Sequence, residues 1–471
     1  MPHASESPAT SLAAASPGRA ERPAPIGQTT AYAAEWERTE AARAAGQPAW
    51  LRAARRQAFD RFLDLGFPGT RLEEWRFTNV APIAESRFPL AEPAHLTAAD
   101  IEPWTFADVA IRLVFVNGYY APALSTPAAS LPHGVSLGPL GPALHHLATA
   151  GDTSLARVAP VDGHAFTALN TAFLADGASL TIAPHVAIEQ PIQVLFVSSP
   201  DQRATMSHPR LLVEAGADSQ ARIVEVYAGT PGTMYFTNAV TEVSLGEHAV
   251  VEHCRIQLES DAAFHVGVVQ VEAARSSAFR AQTFALSGAL LRNDITVRMA
   301  GEGVDCVLNG LYLAMAQQLV DNHTTIDHAM PHGTSLEIFK GVLGGRSRGV
   351  FNGKIIVRQD AQQTDAKQTN RALLLTDQAM IDTKPQLEIF ANDVKCTHGA
   401  AIGQLDDDAI FYLRSRGLGA QEARAVLIHA FAGDLVDGVR IPGVQTRLRD
   451  ILSERLTREL SRLGETAGGR A

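Results

Sequence analysis

Between about Ile111 and Ile402 the chain carries short β-type runs separated by turn residues, and sustained helical periodicity is missing for nearly 300 residues. Ile111–Val116, Ile192–Val197 and Ala221–Tyr227 are such runs. One simple sandwich does not absorb that length. A weak repeat narrows the choice: Val213-Glu-Ala-Gly216, Val243-Ser-Leu-Gly246, Val271-Glu-Ala-Ala274 and Val297-Arg-Met-Ala300 begin 30, 28 and 26 residues apart. Each unit is a β-branched residue, two more, a small residue, a polar turn and another strand. A unit of this length suits the successive coils of a parallel β-solenoid, where stacking buries an inner face that no coil buries alone. An ordinary multi-sheet β protein with coincidental spacing is the alternative. Asn309, Asn322, Asn352 and Asn370 are expected at solenoid turns, where their side chains can bond the backbone. Pro385 is expected at the start of a strand, where a missing N–H does least harm.

Helices flank this region. In 31–65, Trp50, Leu51, Ala54, Ala58, Phe62 and Leu65 recur at three- and four-residue steps, and Gly66 ends the pattern. After the β region, Asp406, Asp407 and Asp408 place negative charge on the first turn of a helix over Ala409–Arg416. The stretch Ala420–Asp437 reads as a helix with Val426, Leu427, Ala430, Phe431 and Leu435 on one stripe, which needs something to cover it. Pro442 interrupts before a last helix over Val444–Leu463. The expected division is a disordered tail (1–28), a helical region (29–105), a mainly β solenoid core (106–402), a second helical region (403–463) and a flexible tail (464–471).

A net charge of −10 and the lack of a basic run argue against a general nucleic-acid binder. No apolar run approaches the roughly 18 residues of a membrane span, and the Ala-, Ser- and Pro-rich first 28 residues lack a signal-peptide apolar core. The cysteines are three, Cys254, Cys306 and Cys396, widely spaced and without a CxxC pair. A disulfide framework and a self-contained zinc or iron–sulfur site are therefore disfavoured, and the expected compartment is the cytoplasm. There is no GxxxxGKS/T phosphate loop, GxSxG elbow or HExxH pair, so the chain is not expected to be an enzyme.

Three constellations could still carry chemistry. In an extended segment Cys396 and His398 point to one face, where a thiol and an imidazole are versatile metal ligands. Two ligands do not close a site, so either a second chain completes it or the pair is structural. His323, His328 and His332 are spaced five and four apart, so strand alternation does not align all three. They are satisfied turn histidines or a stand-alone zinc site. His253 and Cys254, adjacent on a strand, face opposite ways and, like Cys306, are assigned structural roles.

Several ordered blocks resemble the SufB/SufD family of iron–sulfur cluster assembly (SUF system) proteins. They are Val320–His328 (VDNHTTIDH), Gly349–Val357 (GVFNGKIIV), Ala366–Leu375 (AKQTNRALLL), Thr383–Ile389 (TKPQLEI), Asn392–Gly399 (NDVKCTHG) and Phe411–Gly417 (FYLRSRG). Arg71–Thr78 (RLEEWRFT) is similar to the family's N-terminal entry. The strand matching the SufB branch's functional cysteine, Pro385–Phe390, holds no thiol, and the DVKCxHG block has the form of the SufD branch. The resemblance implies a right-handed parallel β-helix with helical ends. It also implies a non-catalytic scaffold subunit that pairs with SufB through the solenoid cores and docks the SufC ATPase on the C-terminal helices, giving the stripe Val426–Leu435 a reason to exist. By the same resemblance His398, together with the SufB cysteine, would share a nascent iron–sulfur cluster at the SufB interface, with Cys396 as a further ligand candidate, and the isolated chain would hold no metal stably. From a different class, a β-helix carbohydrate-active enzyme is the rival reading.

Overall fold

Thirteen consecutive strands between Gln220 and Gly403 are each nine to eleven residues long, and they alternate between two sheets. Within this run, strands two places apart in sequence are parallel neighbours in the same sheet. This computed structural model describes residues 29–43, 47–127, 131–146, 154–199 and 204–468. The expected tail 1–28 lies outside the described residues. The architecture is a parallel β-solenoid of about eight turns with helices at both ends.

The repeat seen in the sequence is a physical column. Val213, Val243, Val271 and Val297 are ladder partners in consecutive coils, and Ile326, Ile355 and Leu387 continue the line. Val213 through Ile355 in this column are all buried. Stacked β-branched residues fill the narrow space between the two sheets, which explains a core with few aromatics. One corner is a second ladder. Asp218, His248, Ser276, Gly303 and His332 each take a positive φ, and each donates its backbone N–H to a carbonyl of the following coil, for example His248 to Arg275 at 3.0 Å and Ser276 to Glu302 at 2.8 Å. Only Gly303 adopts that conformation without steric cost.

Each sheet has its own outer cover. Helices Thr30–Arg43, Ala49–Leu65 and Ala165–Phe173 pack Trp36, Phe59, Phe62 and Phe166 over one sheet, against Phe236 and Val266. Helices Ala420–Asp437 and Pro442–Gly468 lay Ile428, Leu435, Val444 and Leu448 over the other, against Val226, Ile256 and Phe284. The N-terminal helical region is thus two helices rather than one, and the last helix begins at Pro442 and continues to Gly468.

Two local expectations are corrected. Asn309, Asn322, Asn352 and Asn370 all lie within strands, not turns. Asn322 accepts from the Asn293 amide one coil below at 3.2 Å, and Asn370 donates to the Thr383 hydroxyl of the opposite sheet at 3.1 Å, so these side chains bond within the solenoid rather than at its turns. Pro385 sits mid-strand in Met380–Ile389. That strand ends its sheet, and an edge is where a ladder can spare an N–H.

The solenoid's ends differ. At the N-terminal end antiparallel strands close both sheets: Tyr119–Tyr120 against Ile111–Val116, and Val135–Pro139 against Ala178–Ile182. At the C-terminal end Met380–Ile389 and Val394–Gly403 each have one partner strand and one free edge.

Candidate functional site

Strand alternation puts Cys396 and His398 on the inward-turned face of Val394–Gly403, as the sequence requires. Their ladder partners one coil below are Ala366 and Gln368, both buried and interior. Among the described residues no coil lies above, and His398 is exposed. Cys396 is half-buried against Ile355, Val357, Ala361 and Leu387. Burial pushes its thiol up, the nearby Asp365 carboxylate adds to this, and a backbone bond with Ala366 opposes it. Two large apolar side chains are exposed on the same stretch of chain, Phe390 by 62% and Ile402, on the same strand, by 51%. The imidazole and the thiol thus stand on a strand that pairs on one side only; a strand edge and exposed apolar side chains are features that another chain can cover.

The other candidates are not brought to this end. His323 lies on an outer face, 3.1 Å from Asp321 and 3.4 Å from Glu74. His328 is inside, with Nε2 2.9 Å from the Ser335 hydroxyl, and His332 is in the exposed corner turn, 3.6 Å from Glu302. Among the described residues no group of three or more His, Cys, Asp or Glu could hold a metal. Cys254 faces outward beneath the C-terminal helices, where burial pushes its thiol up to about 12. Cys306 is in the solenoid interior, its thiol also raised by burial.

The stripe on Ala420–Asp437 does not form one free face. Leu435 is buried and Phe431 half-buried against the solenoid, while Val426 and Ala430 are exposed and Leu427 is intermediate. The inward face is instead Ala423, Ile428, Ala432, Leu435 and Val436. The neighbouring helix Asp407–Ser415, whose first turn Asp406 caps by accepting from the Asp408 N–H, buries nothing and exposes Phe411 by 72% and Tyr412 by 58%.

Sequence reading missed the polar residues inside the solenoid. Glu225 accepts from Tyr227 at 2.6 Å and Thr241 at 2.7 Å, and lies 2.9 Å from His253 Nε2. Burial alone would push that carboxyl up, but Arg255 and His253 hold it down at about 2. Nearer the open end, Glu337, Gln368 and His398 are successive ladder partners on the inner face. Their spacing of 31 and 30 residues is the coil period, the one signal that could have found them.

The protein is a parallel β-solenoid closed by antiparallel strands at one end and open at the other, with the thiol and imidazole of Cys396 and His398 on the open edge. The family described as "SUF system FeS cluster assembly, SufBD core domain" matches residues 196–431, and "SufBD protein N-terminal region" matches 27–194. An iron–sulfur cluster assembly SufBD family protein of Synechocystis is 35% identical over 411 residues, covering 85% of this chain and 90% of the relative. The iron–sulfur cluster assembly protein SufD of Escherichia coli is 27% identical over 402 residues (85% and 92%), and that of Bacillus subtilis 27% over 425 residues (87% and 95%). The chain belongs to the SufBD family of iron–sulfur cluster assembly proteins, and within it is SufD-like.

Proposed function

We propose that this chain is the SufD-type scaffold subunit of a cytoplasmic complex with a SufB-type partner and the SufC ATPase, and that a nascent iron–sulfur cluster, as cargo, forms where the two solenoids meet. The observation that carries this reading is the exposed His398 on the last strand, which is paired on one side only. One imidazole with a half-buried thiol beside it is an incomplete ligand set, and a partner thiolate would complete it. The exposed apolar side chains of Phe390 and Ile402 support a partner surface there. The chain itself is a non-catalytic member: it has no phosphate loop, so the ATP-driven step belongs to the ATPase, which docks on the C-terminal helices through exposed Phe411, Tyr412 and Val426. Co-purification with the two partners, followed by cluster reconstitution, tests the assignment. Because its side chain is exposed, His398→Ala keeps the fold within ~0.5 kcal/mol while abolishing cluster formation by the assembled complex. Normal cluster yield from that mutant complex rejects the role.

A further inference from the structure

His398 has a built support beneath it. Gln368 is buried one coil below, on the same inner face, and its Nε2 donates to Glu337 Oε2 of the next coil down at 2.7 Å. An amide has one donor end and one acceptor end, so committing the nitrogen to Glu337 fixes which end is free. That end, Oε1, is buried and has no hydrogen-bond partner, a costly state for a carbonyl inside a protein. From the opposite sheet Gly353 makes room for this arrangement: a Cβ there would collide with Nε2 and stand 2.7 Å from Cδ of Gln368. The amide is therefore held from below and from the side.

We propose that Gln368 is a positioning residue for His398: its Oε1 accepts the N–H of the imidazole, selecting one tautomer and turning the other ring nitrogen outward to the seam. This rests on the assembly role of His398 and adds to it the group that aims the ring. A ligating histidine commonly donates its second N–H to a carbonyl or carboxylate, which fixes its orientation and raises its basicity. Glu337 acts one step further back, by setting the amide's direction.

The test uses the full-length chain without partners, carrying ¹⁵N-labelled histidine, with His398→Ala identifying the ring signals. At about pH 8, where imidazole is neutral, one tautomer of His398 is expected in roughly fivefold excess over its proportion in free histidine, the ratio a net hydrogen bond of ordinary strength gives. Gln368→Met keeps the volume, removes the acceptor and returns the ratio to that of free histidine. Should that variant fail to fold, Glu337→Met reads the same question by removing the acceptor that sets the direction of the amide. A ratio that neither variant moves, in chains that remain folded, overturns the proposal. Since the readout needs no cluster, normal cluster yield from His398→Ala would remove the assembly role and leave this ring geometry standing, so the two failures are distinct.

Discussion

The Lys340 ammonium stands 2.7 Å from both carboxylate oxygens of Asp434 and 2.8 Å from the Phe431 carbonyl, pinning the helix Ala420–Asp437 to a solenoid strand. Lys340 is nearly buried whereas Asp434 is well exposed, so the two halves of the pair are unequal. Asp434→Ala leaves a buried ammonium with one acceptor and is expected to cost about 1–2 kcal/mol, discounted for the exposed carboxylate. Lys340→Met replaces the charge by an apolar stem of similar volume and should cost less than about 1 kcal/mol. Urea unfolding midpoints decide the order, and a larger loss in Lys340→Met would refute this account of the latch.

Glu337 makes stability depend on pH. Its burial raises the carboxyl from 4.5 to about 7, with the nearby Thr324 hydroxyl and the hydrogen bond from Gln368 only partly opposing. Between those values the folded chain holds a proton that the unfolded chain has released, so stability falls as pH rises through the window. Glu337→Gln removes that loss. It should be more stable than the wild type at about pH 8, by up to ~3 kcal/mol, with the advantage fading toward about pH 4. A difference that stays flat across the range would show that Glu337 is ionised in the fold.

What the sequence disclosed follows from distance along the chain. The column Val213–Val243–Val271–Val297 was legible because one residue type recurs at the coil period. Cys396 and His398 were legible as a pair because alternation is local. The Glu337–Gln368–His398 column was hidden because its members differ in type and meet only when coils stack. Asn322 and Asn370 were misplaced because asparagine favours turns in isolation, whereas inside the solenoid the Asn293 amide and the Thr383 hydroxyl come within reach only when coils stack. The stripe on Ala420–Asp437 was misassigned by a fraction of a helical turn: periodicity marks an apolar face but not which of its edges the solenoid covers.

Thiol chemistry separates the cysteines. Cys254 and Cys306 are buried with raised thiols, and Cys396 is half-buried with a milder rise. Since the thiolate is the reacting species, a native chain treated with a maleimide near neutral pH should label Cys396 alone, more slowly than free cysteine. Labelling should quicken with pH, and denaturant should release all three thiols. Mass mapping of the adduct gives the answer; early modification at Cys254 would contradict the packing of the C-terminal helices.

The C-terminal helices allow stability and docking to be measured apart. Leu435 fills space against the solenoid, so Leu435→Ala is expected to cost about 2–4 kcal/mol through the cavity it leaves. Phe411 supports no core and is 72% exposed, so Phe411→Ala should lie within ~0.5 kcal/mol of the wild type. Binding should show the reverse order. Under the proposed docking, Phe411→Ala and Val426→Asp weaken association with the ATPase subunit, because truncating an exposed aromatic anchor or placing a charge in an apolar contact removes most of what such a surface contributes. Unfolding midpoints and calorimetric titration of the purified ATPase into each variant measure the two quantities. If Phe411→Ala and Val426→Asp both bind like the wild type, the ATPase contacts a different face of these helices.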